Sequence, residues 1–200
     1  MTHETLPLAV IFPEVLRFLQ GREDAALFGA QAVNAWTAVP RMTADVDILA
    51  VGATELAEAL RAHLADRLHL AARVREVVPG GFRIYQVRKP KNRHLVDIRH
   101  VDVLPRHEIV DGVRVLVPLE LVAMKVMSIA ARAGQPKGDT DRADLRRLLL
   151  AAPELRGHEG LVAARLEELG VTQEVLSLWT RLAAEPLEAD PDESDPDESE

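Results

Sequence analysis

The feature that most constrains the fold is a pair of acidic residues at the start of an apolar segment. Asp45 and Asp47 are separated by one residue, and the apolar residues 48–51 follow directly. Such a run predicts a buried strand, and residues two apart on a strand project from the same face. Two carboxylates this close repel each other, so a cation or a proton must neutralise a buried pair. The segment therefore predicts a core strand that carries a divalent-metal site.

Composition limits the possible architectures. The 200 residues are 48% hydrophobic, enough for one α/β domain and a small helical one. No apolar run reaches the roughly 18 residues of a membrane span, and the first five residues lack the basic start of a secretory signal. The absence of cysteine excludes disulfides and thiolate metal sites. We therefore expect a cytoplasmic protein with no membrane segment.

The acidic charge is concentrated at the C-terminus. Residues 185–200 contain nine acids and no base, and they repeat the pentapeptide Asp-Pro-Asp-Glu-Ser. Without them the net charge of −8 becomes nearly neutral. A charge-dense stretch interrupted by prolines cannot bury enough surface to fold, so residues 185–200 are predicted to be a disordered tail. A solubilising role is the simplest, with partner binding or nucleic-acid mimicry as alternatives.

Hydrophobic periodicity predicts an α/β half at residues 1–117. A short link between two alternating segments predicts one hairpin, and Asp111-Gly112 predicts another. The predicted strands are residues 25–29, 45–51, 82–87, 94–100, 108–110 and 113–117, and the predicted helices are residues 12–20, 30–36 and 53–70.

Beyond Pro118 the pattern is helical only. Apolar residues recur at helical spacing from Leu119, and further helices are predicted at residues 139–151, 159–169 and 173–184. Residues 118–184 therefore form a predicted helical domain. On its first helix, Lys125 and Arg132 are two turns apart and lie on one line beside the apolar stripe.

A third acid, Asp97, also lies inside an apolar strand. If that strand neighbours the one with Asp45 and Asp47, three carboxylates meet on one face of the sheet. Mg²⁺ is satisfied by one or two carboxylates with phosphate and water, and two ions can clamp a displacement at phosphorus. We predict a two-magnesium site at Asp45, Asp47 and Asp97, in which Asp97 ligates the second ion or accepts the proton of the attacking hydroxyl.

These motifs together resemble a known superfamily. Phe-Gly-Ala at residues 28–30, Arg-x-Thr-x-Asp-x-Asp at residues 41–47 and the later Asp97 are similar to nucleotidyltransferases of the DNA polymerase β type. With the helical half, the pattern is most similar to the AbiEii-type nucleotidyltransferases, many of which are toxins of toxin–antitoxin pairs. The resemblance implies a small mixed sheet with flanking helices. It also implies a magnesium-dependent enzyme that transfers a nucleoside monophosphate from a nucleoside triphosphate to a hydroxyl.

The resemblance also implies nucleotide contacts in the α/β half. Gly29 and Ala30 occupy the phosphate-binding turn, where the family usually has Gly-Gly or Gly-Ser. Ala30 offers no hydroxyl, but backbone N–H groups at the following helix N-terminus can still bind phosphate. Arg41 is expected to hold phosphate or to pair with a strand acid, and Thr43 to shape the approach to the strand.

In the helical half, the similar toxins have a lysine in this helix and acids in the next helix near the nucleotide. Lys125, Asp141 and Asp144 match that pattern, and Arg132 is expected to help neutralise the triphosphate. Structural alternatives remain for all four residues. Basic side chains often border a buried helix, and aspartates often lie at helix N-termini.

The acceptor and the partners are open at this point. A protein or small-molecule hydroxyl is an alternative to RNA or tRNA, although a basic patch around the predicted hairpin favours RNA. This patch contains Arg83, Arg88, Lys89, Lys91 and Arg93. A toxin would also bind a cognate antitoxin.

Two other functions compete with nucleotidyl transfer. A catalytically degenerate nucleotide- or partner-binding module of the same fold is favoured by Gly29-Ala30, whereas the three acids oppose it. A metal-dependent phosphohydrolase would use the same acids with water as the nucleophile. We rank it lower because His94 and His100 are interpreted as exposed strand-end residues, with no histidine beside the acids.

Overall fold

The computed structural model describes residues 6–157 and 160–188. These residues form two compact units. The first contains the chain up to Ala35 and Met42–Val117, and the second contains Trp36–Arg41 and the chain from Pro118 onward. Most of the predicted acidic tail, from residue 189, lies outside the described residues. Among the helices of the described chain, none combines the length and apolar character that a membrane span requires.

The first unit is a seven-stranded mixed sheet with helices. Its strands are β1 (Ala25–Phe28), β2 (Val46–Ala50), β3 (Ala72–Val78), β4 (Gly81–Gln86), β5 (Arg93–His100), β6 (His107–Val110) and β7 (Val113–Leu116). Its helices are α1 (Leu8–Leu19), α2 (Gly29–Trp36, the last residue of which is assigned to the second unit) and α3 (Ala53–Leu68). The strand order is β3-β4-β5-β2-β1-β7-β6. The pairs β2–β5 and β1–β7 are parallel, and the other pairs are antiparallel. The mixed α/β architecture predicted from the sequence is confirmed.

The central strands are mostly buried, and their acidic side chains lie on one of the two faces among apolar neighbours. Helix α3 packs against β2, β3, β4 and β5. Val46, Ile48 and Ile98 are fully buried, as expected for the side of the sheet that faces a helix. The alternate positions carry Asp47 and Asp97, so these carboxylates lie on the opposite face.

Both predicted hairpins are present. Strands β4 and β5 are antiparallel neighbours, and β6 and β7 flank Asp111 and Gly112, whose φ angles are +51° and +80°. Positive φ at both central residues is the geometry of a type I′ turn, which explains the Asp-Gly pair. Strand β3 was not predicted, because as an exposed edge strand it has no buried apolar face that would produce a strong periodic signal.

Two helices begin earlier than predicted. Helix α1 begins at Leu8 rather than at residue 12, so Pro13 lies inside the helix and removes one backbone hydrogen bond. Helix α5 (Pro136–Ala151) begins at its proline rather than at residue 139, because proline fits the first helical position. Gly138 is required inside α5 because a Cβ there would lie 3.3 Å from the carbonyl carbon of Arg132 and collide with its oxygen.

The second unit is helical. It contains α4 (Pro118–Ala131), α5, a 3₁₀ helix (Pro153–Arg156), α6 (Leu161–Glu168) and α7 (Gln173–Ala184). Helix α4 packs against α5, α6 and α7 around buried Leu121, Val126 and Trp179.

The segment Trp36–Arg41 belongs to this unit although it lies within the α/β half in sequence. Arg147 donates to Thr37 Oγ1 at 2.7 Å and to the carbonyl oxygen of Val39. Glu185, the first residue of the predicted tail, accepts hydrogen bonds from Arg142 at 2.9 Å and Arg146 at 2.8 Å.

Candidate metal and nucleotide site

The two acid-bearing strands are neighbours, which is the condition for the predicted metal site. Strands β2 and β5 pair in parallel with Asp47 directly beside Asp97, so both side chains project from the same face. Asp45 immediately precedes β2. The cross-strand row continues through Arg83 of β4, opposite Asp97, to Arg75 of β3. Arg83 Nε donates to Asp97 Oδ1 at 2.7 Å.

The tightest cluster on this face contains a histidine. One oxygen each of Asp45 and Asp97 and one ring nitrogen of His94 all lie within 4.8 Å of one another. His94 Nδ1 is 3.3 Å from Asp45 Oδ2, and Nε2 is 3.4 Å from Asp97 Oδ1. Within residues 6–157 and 160–188, this is the one group of three such residues with the spacing of metal ligands.

The carboxylates control the charge of His94. Hydrogen bonding to Asp45 and then to Asp97 raises the pKa of His94 to about 10, although burial lowers it. Burial alone would raise the pKa of Asp97, but His94 and Arg83 outweigh burial and hold that pKa below its usual value. The imidazolium of His94 therefore lies between the carboxylates of Asp45 and Asp97 and offsets part of their repulsion.

The interpretation of His94 as an exposed strand-end residue is wrong, and a β-bulge explains why. Arg83 opposes Asp97 and Ile84 opposes Val96, but Tyr85 opposes His94. The extra residue in β5 shifts the alternation by one. Regular alternation would have put His94, three residues from Asp97, on the other face.

Asp47 occupies a different position from the cluster. A Cβ added at Gly29 would lie 2.7 Å from the Cγ of Asp47 and collide with its Oδ2. Gly29 also has φ +68°, which disfavours other residues. Glycine is therefore required at residue 29 on two grounds. The carboxylate of Asp47 lies against the start of α2 and is not part of the Asp45–His94–Asp97 group.

The neighbouring predicted contacts are also in the first unit. Ala30 is the second residue of α2, and Thr43 Oγ1 accepts a hydrogen bond from Gln31 of the same helix at 2.7 Å. The polar link between Thr43 and Gln31 ties the segment before β2 to α2, which fits the predicted role of Thr43 in shaping that approach.

The remaining predicted residues form an ion-pair network in the second unit. Lys125 Nζ donates to Asp141 Oδ1 at 2.8 Å and to Asp144 Oδ2 at 2.7 Å. Arg132 donates to Asp141 Oδ2 at 2.5 Å, and Arg41 Nε and a terminal nitrogen donate to Asp144 at 2.6 and 2.8 Å. Lys125, Asp141 and Asp144 are all buried.

This network lowers the pKa of Asp144. Burial alone would raise the pKa of Asp144, but Arg41 and Lys125 outweigh burial and hold it below its usual value. The ammonium of Lys125 is committed to two carboxylates in the structure. Its predicted catalytic role and the predicted nucleotide contacts of this network stay predictions.

The donor set on the sheet face fits a divalent cation. Two carboxylate oxygens and one imidazole nitrogen are ligands that such cations accept. His94 Nε2 is buried and lies 3.4 Å from Asp97 Oδ1, and Nδ1 lies 3.3 Å from Asp45 Oδ2, so the imidazole already contacts both carboxylates that would share the ion.

The chain is similar to known proteins in structure rather than in sequence. No protein-family model matches it, and no curated protein matches its sequence. Solved structures do match. The Megavirus polyadenylate synthase aligns with TM-score 0.59 and 12% identity over 73% of this chain, which spans only 32% of the length of that enzyme.

Two further structures match over more of their own length. JHP933 from Helicobacter pylori aligns with TM-score 0.55 and 13% identity, over 92% of this chain and 91% of that one. ANT(2″)-Ia in complex with adenylyl-2″-tobramycin aligns with TM-score 0.52 and 15% identity, over 82% of this chain and 98% of that one. Identities this low establish the fold alone. The chain therefore has the fold of the nucleotidyltransferases, whereas the narrower AbiEii-type resemblance rests on its sequence motifs.

Proposed function

We propose that this protein is a divalent-metal-dependent nucleotidyltransferase that transfers a nucleoside monophosphate from a nucleoside triphosphate to a hydroxyl acceptor. The observation that carries the proposal is the parallel pairing of β2 and β5, which aligns Asp47 with Asp97 on one face of a sheet of this fold. Asp45 lies within ligand distance of Asp97 on the same face. Carboxylates grouped this closely need positive charge to offset their repulsion, and in the structure Arg83 and His94 supply part of it.

In this proposal Asp45, Asp47 and Asp97 hold two Mg²⁺ ions together with the triphosphate. Bound ions would neutralise the triphosphate and make the acceptor hydroxyl a better nucleophile. The acceptor oxygen forms a bond to the α-phosphorus while the bond to the bridging oxygen breaks, pyrophosphate leaves, and the hydroxyl proton passes to Asp97 or to water. Backbone N–H groups at Gly29 and Ala30, at the start of α2, are the proposed phosphate donors.

We propose RNA, which includes tRNA, as the acceptor. Arg75 is exposed, and it lies on edge strand β3 in the cross-strand row that leads to Asp97. Arg73 pairs in register with Tyr85, whose half-exposed ring lies on the same face. Guanidinium groups bind phosphates, and an aromatic ring stacks on unpaired bases. This surface therefore suits a single strand better than a small molecule.

A toxin role with a cognate antitoxin is a finer proposal that rests on the AbiEii-type motif of residues 41–47. The gene next to this one offers a direct test. An adjacent short reading frame for a winged-helix protein would support the pairing, and suppression of toxicity on co-expression would establish it.

A metal-dependent phosphohydrolase is the second candidate, and His94 is the observation that favours it. A histidine among metal-binding carboxylates suits a site that activates water. The products separate the two reactions, because a hydrolase releases phosphate or nucleoside monophosphate, whereas a transferase makes a covalent adduct.

The test is to incubate the protein with Mg²⁺, each of the four labelled nucleoside triphosphates and total RNA. We expect label to enter RNA with the release of pyrophosphate. Asp47→Ala should abolish labelling while circular dichroism shows an intact fold. Labelled free nucleotide or phosphate would favour the hydrolase. Nucleotide binding without any product would favour the binding module.

A further inference from the structure

We infer that His94 is a direct protein ligand of the divalent cation held by Asp45 and Asp97, and that it makes this site prefer a first-row transition ion such as Mn²⁺ over Mg²⁺. The inference deepens the proposed function, because it rests on the same two carboxylates. It concerns metal binding alone and requires no nucleotide.

The distances within the cluster allow one ion to contact all three side chains. A nitrogen of His94 and one oxygen from each aspartate lie within 4.8 Å of one another, close enough for one ion to contact all three. The side chains are shielded without being closed off, since 27% of His94, 25% of Asp45 and 12% of Asp97 are exposed. An ion can therefore enter from solvent and keep water in its remaining positions.

A β-bulge in β5 places His94 on the same face as Asp97. Strand β5 pairs regularly with β4 as far as Ile84, and the register then shifts by one so that Tyr85 opposes His94. Bulges often re-aim a side chain beside a functional site. The ring of Tyr85 lies 5.6 Å from the ring of His94 at an interplanar angle of 45°, a tilted contact that restrains the imidazole. The bulge in β5 thus places His94 on the face of the sheet that carries Asp97.

The types of ligand atom determine which metal ions the site prefers. Mg²⁺ prefers oxygen ligands, whereas imidazole suits the first-row transition ions, and carboxylates also suit Mn²⁺. A divalent ion between the two carboxylates would take one oxygen from each aspartate and one nitrogen from His94. One nitrogen donor therefore changes which metal the site selects.

The experiment uses the full chain with Mn²⁺ alone. Pulsed electron paramagnetic resonance detects nitrogen bound directly to Mn²⁺, and competition with Mg²⁺ gives the ratio of the two affinities. We expect a coupled-nitrogen signal in the wild type. In His94→Gln that signal should vanish, and the preference for Mn²⁺ over Mg²⁺ should fall about tenfold or more.

His100→Gln is the matched control. His100 is at the other end of β5, where it lines a separate surface cavity with Gly52 and Glu55 and lies 3.4 Å from exposed Asp102. This variant should retain the signal and the metal preference. The absence of a nitrogen signal in wild type with bound Mn²⁺, or its persistence in His94→Gln, would overturn the inference.

The wild-type spectrum is decisive even if His94→Gln does not fold. The transfer assay is independent of this result. RNA labelling without the nitrogen signal would remove only the role of His94. The nitrogen signal without any labelling would establish the metal site and remove the proposed transfer reaction.

Discussion

Single residues decide the geometry of the acidic face, and Gly29 is the clearest case. Its φ is +68°, and a Cβ there would overlap the side chain of Asp47. Gly21 has nearly the same backbone conformation, φ +72°, but a Cβ there would meet nothing within 4 Å. The two glycines therefore separate backbone strain from crowding of the carboxylate.

We predict that Gly29→Ala is clearly more damaging than Gly21→Ala. Gly21→Ala should lower the free energy of unfolding by the cost of a left-handed residue, about 1–2 kcal/mol. Gly29→Ala should add the displacement of Asp47, with further loss of stability and loss of transfer activity. Urea denaturation and the RNA-labelling assay measure both effects. Equal losses in the two variants would show that Gly29 does not act through Asp47.

The acidic residues could be predicted from sequence, and the histidine could not. Asp47 and Asp97 each lie in an apolar run, which predicts that each carboxylate belongs to a buried strand. His94 reaches them because of a bulge that depends on the pairing of β5 with β4. A single sequence contains no residue pattern that marks this bulge. The roles assigned to the acids themselves stay predictions.

At the level of elements, helices α4 and α5 are joined by buried charge. Lys125 of α4 binds two aspartates of α5, and its side chain is only 10% exposed. Removal of one partner from a buried ion pair leaves the other charges without compensation, which costs far more than loss of a surface pair. These residues therefore stabilise the second unit whatever else they do.

We predict that Lys125→Ala lowers the free energy of unfolding by about 3–5 kcal/mol. Lys137→Ala, in the exposed first turn of α5, should change it by less than about 0.5 kcal/mol. Urea denaturation of both variants checks the difference. A loss of transfer activity in Lys125→Ala with unchanged stability would instead indicate a purely catalytic role.

The same network predicts that the free energy of unfolding depends on pH in the acidic range. The pKa of Asp144 is below the usual value of an aspartate, so the folded state binds fewer protons than the unfolded state at low pH. Its contribution is complete above the unfolded pKa and is lost as the pH falls through the lower folded pKa.

Between about pH 5 and pH 2, the free energy of unfolding should therefore fall less steeply in Asp144→Asn than in the wild type. Asp102→Asn, at a fully exposed side chain, should retain the wild-type slope. Urea denaturation at stepped pH measures the slopes. Parallel curves for the wild type and Asp144→Asn would contradict the assignment.

Helices and strands were predicted best where residues close together in the sequence determine the structure. The Asp-Gly hairpin and the apolar strands have such signals, because turn chemistry and burial act on neighbouring residues. Strand β3 and the segment Trp36–Arg41 have none. Strand β3 is stabilised by its pairing with β4, and Trp36–Arg41 by contacts with residues more than 100 positions away, such as Arg41 with Asp144. Long-range contacts of this kind override local preference.

In the part of the chain that the structure describes, predicted site residues lie in both compact units. In the first unit, Asp45, Asp47 and Asp97 lie near one another with His94, which was not predicted, and the second contains the network around Lys125. The fold is that of nucleotidyltransferases, and at 12–15% identity it does not determine the substrate. The central claim is that the carboxylates of β2 and β5 support transfer to RNA.

The most direct test is the rate of nucleotide incorporation into RNA by Asp97→Asn and Asp102→Asn under the same metal and nucleotide conditions. Both substitutions replace an acid by its isosteric amide, but only Asp97 faces Asp47 across the strand pair. Asp97→Asn should reduce the rate at least about 100-fold, since loss of several kcal/mol of metal-dependent stabilisation has that effect. Asp102→Asn should match the wild type. Equal rates in the wild type and Asp97→Asn, with both folded, would contradict the central claim.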